Sequence, residues 1–555
     1  MPRYRSARRL ALGAGALATL ATLAVPLHST GANAVSTPTN VAKTVYLSLP
    51  GPFNGCTFLD AGATPSTNAI LDLVRPSAFQ TSNLGTLVGE GGAISSAELT
   101  SLTPETVRYT VAPHQKWSDG AAFTGADLVA WYQRAVSLPS VNSDGYRAIK
   151  SLVVSKNHLA VTAVFKTPYA AWNLLFRDVE ARGAPASCSI SSLVDRPSLG
   201  PYVVSSASRD VVVLTSNPRW PIQSGRFARV VVRDNNVIPK SSTTPYVNFT
   251  LEVGRAQVEA ISSHATSLSH FGSSSNLEEV TFAPHRPWSS RLSIREALSW
   301  SISRQHMIDQ LLGTVTFLPS VAASALFTQG QPSYPGTTGT GPTSQTTTTV
   351  LPATTPGVLE DCTQCAIEAL TATGLRRSHT GWSTIGGARL AIDVAVGPSS
   401  TDRLVASSVV RQWRTLGVRV HVHQESSEEG AAIASARSQV DASIFTRPTV
   451  TAPSYAARSW SGPGYADSFP GGWRSSKVNV LYSRAIALFN PVTAATTWLA
   501  MDQTVLASYW VRPLFTEPSL MAWADTIGTV APTYTIPGLV DQLPTWTTIS
   551  PQTGS

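Results

Sequence analysis

Two histidines at period two, His421 and His423, a Cys362-x-x-Cys365 pair and a Gly339-x-Gly341 pair are the residues whose types and spacing could do chemistry in this chain. On an extended segment the two histidines share a face and could grip a metal together, but no third ligand stands at a workable spacing. The cysteine pair has redox or zinc spacing, yet no second pair or histidine cluster accompanies it, so structural use is the expected one. The glycine pair sits in a Thr-rich stretch with no strand before it and no helix after it, which removes a nucleotide fingerprint. Nucleophile motifs fail as well. There is no G-x-S-x-G elbow, no H-E-x-x-H and no phosphate loop, and no lysine has a serine three residues ahead of it. Neither catalysis nor a cofactor is expected. Apolar residues make up 43% of the chain and charged residues 13%, with 14 Trp and 14 Tyr, which suits an apolar pocket made selective by a few polar groups.

The chain has 555 residues, enough for about three or four compact units with a large core. Its formal charge is +8, but Arg3, Arg5, Arg8 and Arg9 lie in an N-terminal segment expected to be removed, which halves the excess to +4. Such a mild charge without a long basic run argues against nucleic acid as a partner. Residues 1–34 read as an export signal: a basic start, an apolar stretch from Leu10 to Leu27, and the small-x-small triplet Ala32-Asn33-Ala34 before Val35. Cleavage after Ala34 is expected, retention as a membrane anchor being the alternative. Arg8-Arg9 leaves the general and twin-arginine routes both open. The first cysteine is Cys56, so a lipidated N-terminal cysteine is not available, and the mature chain is expected outside the cytoplasmic membrane. Four cysteines in an exported chain allow two disulfides in three connectivities; the expected pairing joins Cys56 to Cys188.

Elements must then position whatever site exists. Thr124-Gly125-Ala126-Asp127 is a capping box that opens a helix with Leu128, Trp131 and Ala135 on one face. Ser293 to Glu296 reads as a second box, opening one helix through Ile294, Leu298, Ile302, Ile308 and Leu312 to a stop at Gly313. A third helix runs from a cap at Asp361 to Gly374. Between Ala388 and His423 the apolar period changes from two to helical and back, which predicts a β-α-β unit with parallel strands. Val230 to Val232 and Val511 to Phe515 read as short buried strands, and the class is α/β. From Thr328 to Pro356 the composition is almost wholly Thr, Gly, Pro, Ser and Gln, a long exposed loop inserted within a domain.

Lys116-Trp117-Ser118-Asp119-Gly120, followed by Phe123-Thr124 and Asp127-Leu128-Val129, resembles the family 5 extracellular solute-binding proteins of ABC importers, the oligopeptide and dipeptide group. Further likenesses follow in the family's order. These are Leu159 to Phe176, Gly200-Pro201-Tyr202 with Asn217-Pro218-Arg219-Trp220, Arg295-Glu296-Ala297-Leu298 with Ser303-Arg304, Ala366 to Gly374, and Gly471-Gly472-Trp473 with Val478 to Ala485. The resemblance spans about Thr44 to Ile536. Trp117 is expected as a core anchor and Asp119-Gly120 as a turn delivering the chain to the Thr124 cap.

The resemblance implies a bilobed type II periplasmic-binding fold with an additional third domain and the ligand cleft between the lobes. On that basis lobe I takes 35–55, 198–285 and 516–555, the extra domain 56–197, and the other ligand-binding lobe 286–515. Lobe closure would bury a small solute, a peptide or peptide-like compound, and present a surface to membrane permease subunits; a monomer is expected. Ligand-binding candidates are Phe445, Thr446, Arg447, Thr449 and Tyr455, with Phe515 and Glu517 from the following strand and Asn54 from the opposite lobe. Peptide binders of the family commonly pair the ligand's α-amino group with an Asp where Thr449 stands here, and no acid occurs between Asp441 and Asp467, so Arg447 could turn the pocket toward anions instead. Ser303 replaces the usual Asp of its motif. The alternative to uptake is an envelope-associated scaffold or sensor that retains the fold.

Overall fold

The computed structural model describes residues 44–60, 63–83, 86–138, 143–184, 187–220, 227–234, 245–251, 267–312, 321–328, 334, 361–448, 453–461, 475–533 and 535–549. The leader at 1–34, nearly all of the Thr-rich segment 328–356 and Thr449 lie outside the described residues.

Short strands rich in β-branched residues, together with two longer ones, build one ten-stranded sheet. Its order is Arg419–Gln424, Ala391–Val396, Ala442–Pro448, Ser267–Phe282, Val511–Ala524, Tyr246–Thr250, Thr44–Leu49, Arg229–Asp234, Val211–Ser216 and Tyr202–Ala207. The expected β-α-β unit is present: helix Ser400–Leu416 joins two parallel strands, and Gly417 ends it at φ 100°, where only glycine sits without strain. Ala391–Val396 also pairs in parallel with Ala442–Pro448. On the far side Thr44–Leu49 is parallel to both Arg229–Asp234 and Tyr246–Thr250.

Two long antiparallel strands connect these parallel blocks. Ser267–Phe282 has 16 residues and Val511–Ala524 has 14, the latter buried throughout, so the expected short strand from Val511 to Phe515 is only its beginning. Residues 247–250 pair with 520–523 on one side, while 276–282 pair with 442–448 on the other, so the two strands belong to both blocks at once. Their mutual register shifts twice, between Ser273 and Leu277 and between Glu278 and Glu279. Pro518 and Pro513 lie opposite Ser273 and Glu279, beside those shifts. A proline has no N–H for the ladder and is tolerated in a sheet interior where pairing is already interrupted, so the sequence marks the two places where the sheet bends.

Among the described residues four large apolar cores lie around this frame, beside two small clusters. The first holds Leu47, Ile70, Leu214, Val230, Phe249 and Trp546. The second holds Leu298, Val394, Val409, Trp413, Ile444 and Leu514. The third belongs to a separate four-stranded sheet of Ile94–Leu102, Glu105–Val111, Ala160–Phe165 and Ile149–Val154, and contains Trp117, expected as an anchor and only 1% exposed. The fourth packs Phe327 and Trp460 against helices Ser476–Ala485 and Pro491–Leu506. Helix Pro65–Asp72 departs from the expected division at residue 56. Its Ala69, Ile70 and Leu71 pack in the first core with Thr44–Leu49, because its apolar face complements that sheet.

Helix boundaries differ in two further places. The helix expected from Ser293 to Gly313 is two helices, Leu292–Trp300 and Arg304–Leu312. The chain breaks between them because Ser303 N donates to Gln412 Oε1 at 2.6 Å and Arg304 N to Asp361 Oδ2 at 2.9 Å, which replaces the continuing helical bonds. Ser293 caps nothing; it lies inside the first helix, whose N-cap is Arg291. Asp361 is likewise not a cap. It bridges Arg304 at 3.1 Å and Arg512 at 2.6 Å, and Cys362 takes the N-cap position of Thr363–Ala372. Leu404, an apolar residue of helix Ser400–Leu416, is 55% exposed. Disulfides join Cys56 to Cys188 and Cys362 to Cys365.

Candidate functional site

In open α/β sheets a ligand meets the carboxyl ends of parallel strands, because the loops and helix N-termini that follow them converge there. In the second block those ends are Val396, Gln424 and Pro448. Ser399 caps one following helix with a capping box to Asp402, and Ser427 caps the next, Glu428–Ala436. Those caps bring Asp402 and Glu428 together over Gly397, where an added β-carbon would lie 2.5 Å from Asp402 Oδ2 and 2.3 Å from Glu428 Oε2. Thr446 supplies the centre. Its hydroxyl lies 2.8 Å from Glu278 Oε2 and 3.1 Å from Asp402 Oδ1, and its amide donates to Glu428 Oε2 at 3.3 Å. Glu517, just past the bend, accepts from Asn276 Nδ2 at 3.1 Å.

The sequence candidates divide at this point. Thr446 and Glu517 lie in or beside the carboxylate group. Arg447 is 2% exposed and consumed internally: Nε reaches both Glu279 oxygens at 3.1 Å, and Nη2 reaches Glu279 Oε2 at 3.0 Å and Ala325 O at 2.7 Å. Its charge is neutralised inside the fold, so it does not turn the cleft toward anions. Phe445 packs under the Glu428–Ala436 helix with Ala431 and Ala432, and Phe515 belongs to the second core. Tyr455, on helix Pro453–Arg458, meets Phe58 edge to face at 5.6 Å between centroids. Arg458 beside it ion-pairs with Asp144, so this helix touches the segment that carries the four-stranded sheet. Asn54 closes a local turn, accepting from Cys56 N at 3.0 Å and donating its own amide to Thr67 Oγ1 at 3.2 Å. Thr449 lies outside the described residues. His421 and His423 are exposed, and among the described residues no group of three potential ligands could hold a metal.

Sequence reasoning missed Glu278, Asp402 and Glu428. Asp402 is the N3 partner of the Ser399 capping box, which the sequence analysis did not single out. The usable signal was the adjacent acids Glu278-Glu279 between Leu277 and Val280: neighbouring residues of a strand point to opposite faces, so in a sheet covered on both sides each acid must be paired or protonated.

Burial pushes the Glu278 carboxyl well above its ordinary range, and the nearby charges of Asp402 and Glu517 push it further. Burial, then Asp402, raises Glu428 to about 10. Burial raises Asp502 to about 7 against the opposing amides of Ala325 and Leu326. These carboxyls hold protons in the folded state at pH values where the unfolded chain has lost them. Stability contributed this way is complete below the ordinary carboxyl range and is lost as pH rises toward about 7 for Asp502 and about 10 for Glu428. The expected outcome is a thermal midpoint that falls between about pH 5 and about pH 8, each retained proton contributing about 1.4 kcal/mol per pH unit. A flat or rising profile at constant ionic strength would contradict the assigned protonation.

Residues 97–468 match the bacterial extracellular solute-binding proteins, family 5. That span is more than half of the chain, and the protein belongs to this family. Among curated relatives, the oligopeptide-binding protein OppA of Mycobacterium tuberculosis (strain ATCC 25618 / H37Rv) is 29% identical over 175 residues, 29% of each protein. The probable monoacyl phosphatidylinositol tetramannoside-binding protein LpqW of the same strain is 32% identical over 123 residues, 21% of this chain and 19% of that one. The similarity thus covers under a third of either relative's length. Among solved structures, the periplasmic EDTA-binding protein EppA superposes with TM-score 0.74 at 17% identity, over 91% of this chain and 96% of that one. The oligopeptide-binding protein AppA from Bacillus subtilis, in complex with a nonapeptide, superposes with TM-score 0.69 at 12% identity over 91% and 99%. The fold is the bilobed periplasmic-binding architecture, α/β in class.

Proposed function

We propose that the protein is the extracytoplasmic substrate-binding component of an ABC importer, taking a peptide or peptide-like solute between its lobes and delivering it unaltered to a membrane permease. The observation that carries this reading is the pair of long strands that run through both parallel blocks and bend at the two register shifts. They serve as the hinge about which one lobe closes on the other, and family membership supplies the context. A solute holds the closed form only through greater affinity for it, so contacts from both lobes are required. The Tyr455–Phe58 and Arg458–Asp144 contacts are of the kind that closure makes. No helix among the described residues is long and apolar enough to cross a membrane. In this reading the chain is exported by its N-terminal segment, cleaved after Ala34, acts as a monomer and performs no catalysis.

The test is thermal unfolding of the purified protein with pools of short peptides, followed by X-ray scattering on any pool that acts. A solute at a hundred times its Kd is expected to add about 2.7 kcal/mol and to contract the scattering envelope. Unchanged melting and an unchanged envelope across all pools would overturn the reading and favour a scaffold or sensor role.

A further inference from the structure

The amino ends of the second block's parallel strands lie opposite the strand ends that carry Thr446 and its carboxylates. An open cavity of about 480 Å³ is found there, lined by Arg389, Arg414, Arg419, His379 and His421 and by no acidic residue. Its floor exists because two glycines let backbone meet backbone. The hairpin of Arg376–Ser378 and Gly381–Ser383 presses on the end of helix Ser400–Leu416: Gly381 has φ 107°, and a β-carbon there would lie 2.4 Å from Gly417 O. Trp382 completes the floor, its Nε1 donating to Leu416 O at 2.8 Å and its amide to Gly417 O at 3.3 Å. Free carbonyls at a helix C-terminus repel anions, but these are taken, Arg414 O by Gly417 N and Trp413 O by Val418 N.

The positive charge at this end is uncompensated. Between Arg376 and His421 the sequence has seven arginines and two acids, an excess of five where the whole chain past residue 34 has four. Both acids are engaged, Asp393 with Arg286 at 2.6 Å and Asp402 in the Ser399 box and at Thr446. Among the described residues neither Arg389 nor Arg419 has an ion-pair partner. Arg414 donates from Nη2 to Val420 O at 3.1 Å, which steadies its guanidinium against the edge strand. Guanidinium forks in this number match the oxygens of a phosphate group.

The neighbouring loop distinguishes the source of that phosphate. Its ends, Ser383 and Arg389, bridge each other, and Thr384 N donates to Ala388 O at 2.9 Å. At its tip Ile385 is 77% exposed, the most exposed large apolar side chain among the described residues. An apolar tip four residues from an unpaired arginine suits a lipid surface, where the apolar residue enters the acyl boundary while arginines hold headgroup phosphates. A soluble phosphate compound would fill the cavity and leave Ile385 in water.

We propose that this end of the second block docks on a bilayer rich in anionic phospholipid, with a headgroup phosphate in the cavity among Arg389, Arg414 and Arg419 and with Ile385 in the bilayer boundary. The docking face is at the other end of the strands from the candidate site, so a protein held this way keeps that site open to solute.

The experiment is hydrogen exchange of the full chain, read by mass spectrometry, with vesicles of phosphatidylglycerol, with vesicles of phosphatidylcholine and with free glycerol 3-phosphate. Protection of residues 376–390 and 414–421 by phosphatidylglycerol vesicles above the other two supports the docking. An N-terminal segment inserting in lipid would act with either vesicle, so equal protection by both overturns it. Protection by glycerol 3-phosphate as strong as by the vesicles assigns the cavity to a soluble phosphate and overturns the membrane role, and protection by none overturns the site. Arg389→Gln with Arg419→Gln is expected to raise the lipid concentration for half-protection about 30-fold, about 5-fold for each arginine at an anionic surface. Ile385→Ser is expected to raise it about 10-fold. All three side chains are exposed, so the thermal midpoint should not move, and variants that dock as the unaltered chain does overturn the assignment.

Discussion

Arg447→Met is expected to lower the free energy of unfolding by about 3–5 kcal/mol, since it leaves the Glu279 carboxylate buried without its bidentate partner. Burial already presses Glu279 toward its neutral form, and Arg447 is what opposes that pressure. The Ala325 carbonyl would lose its donor as well. The sign should reverse in the double variant Arg447→Met with Glu279→Met, which removes both charges together and is expected to restore most of the loss. Urea unfolding of the two variants checks this, with unchanged slopes required so that only stability has moved. A loss under about 1 kcal/mol in the single variant would mean that Arg447 is solvated and available to a ligand, as its sequence position suggested.

Replacing Cys56 and Cys188 together by alanine is expected to cost about 4–5 kcal/mol, because the bridge closes a loop with a sequence separation of 132 and removes that much freedom from the unfolded chain. The native side adds to it. Gly55 N donates to Cys188 O at 3.0 Å and Arg196 Nη1 to Gly55 O at 2.9 Å, so the bridge seats Arg196 near Glu180, which Arg75 and Arg134 also engage. The Cys362–Cys365 bridge has a separation of 3, and the same relation assigns it only about 2 kcal/mol. Unfolding in urea of both double-alanine variants should therefore show a clear inequality. Equal losses would contradict an effect set by loop length.

Much of the frame was legible without coordinates because it follows from local rules. The change of period between Ala388 and His423 gave the β-α-β unit, and the Thr124 box holds its helix by side-chain bonds to its own backbone. Trp117 is where a large apolar residue between turn signals must go. Local rules failed where a distant residue took over a local role. Ser293 had the pattern of a cap and is none, and the break before Arg304 is made by Gln412 and Asp361, which are far along the chain.

The candidate site shows the same division. Phe445, Thr446 and Arg447 are consecutive, and sequence treats them alike as lining. In the sheet they face a helix, a carboxylate group and a buried glutamate, because the partners come from strands and helices remote in sequence. The sequence by itself determined the class, the Thr124-capped helix and the parallel unit, all consequences of side-chain period and backbone chemistry within a few residues. Only the tertiary structure decided that Arg447 is spent on Glu279 and that Glu278, Asp402 and Glu428 meet. Charge is a long-range property, and which charges become neighbours is set by strand register and not by spacing along the chain.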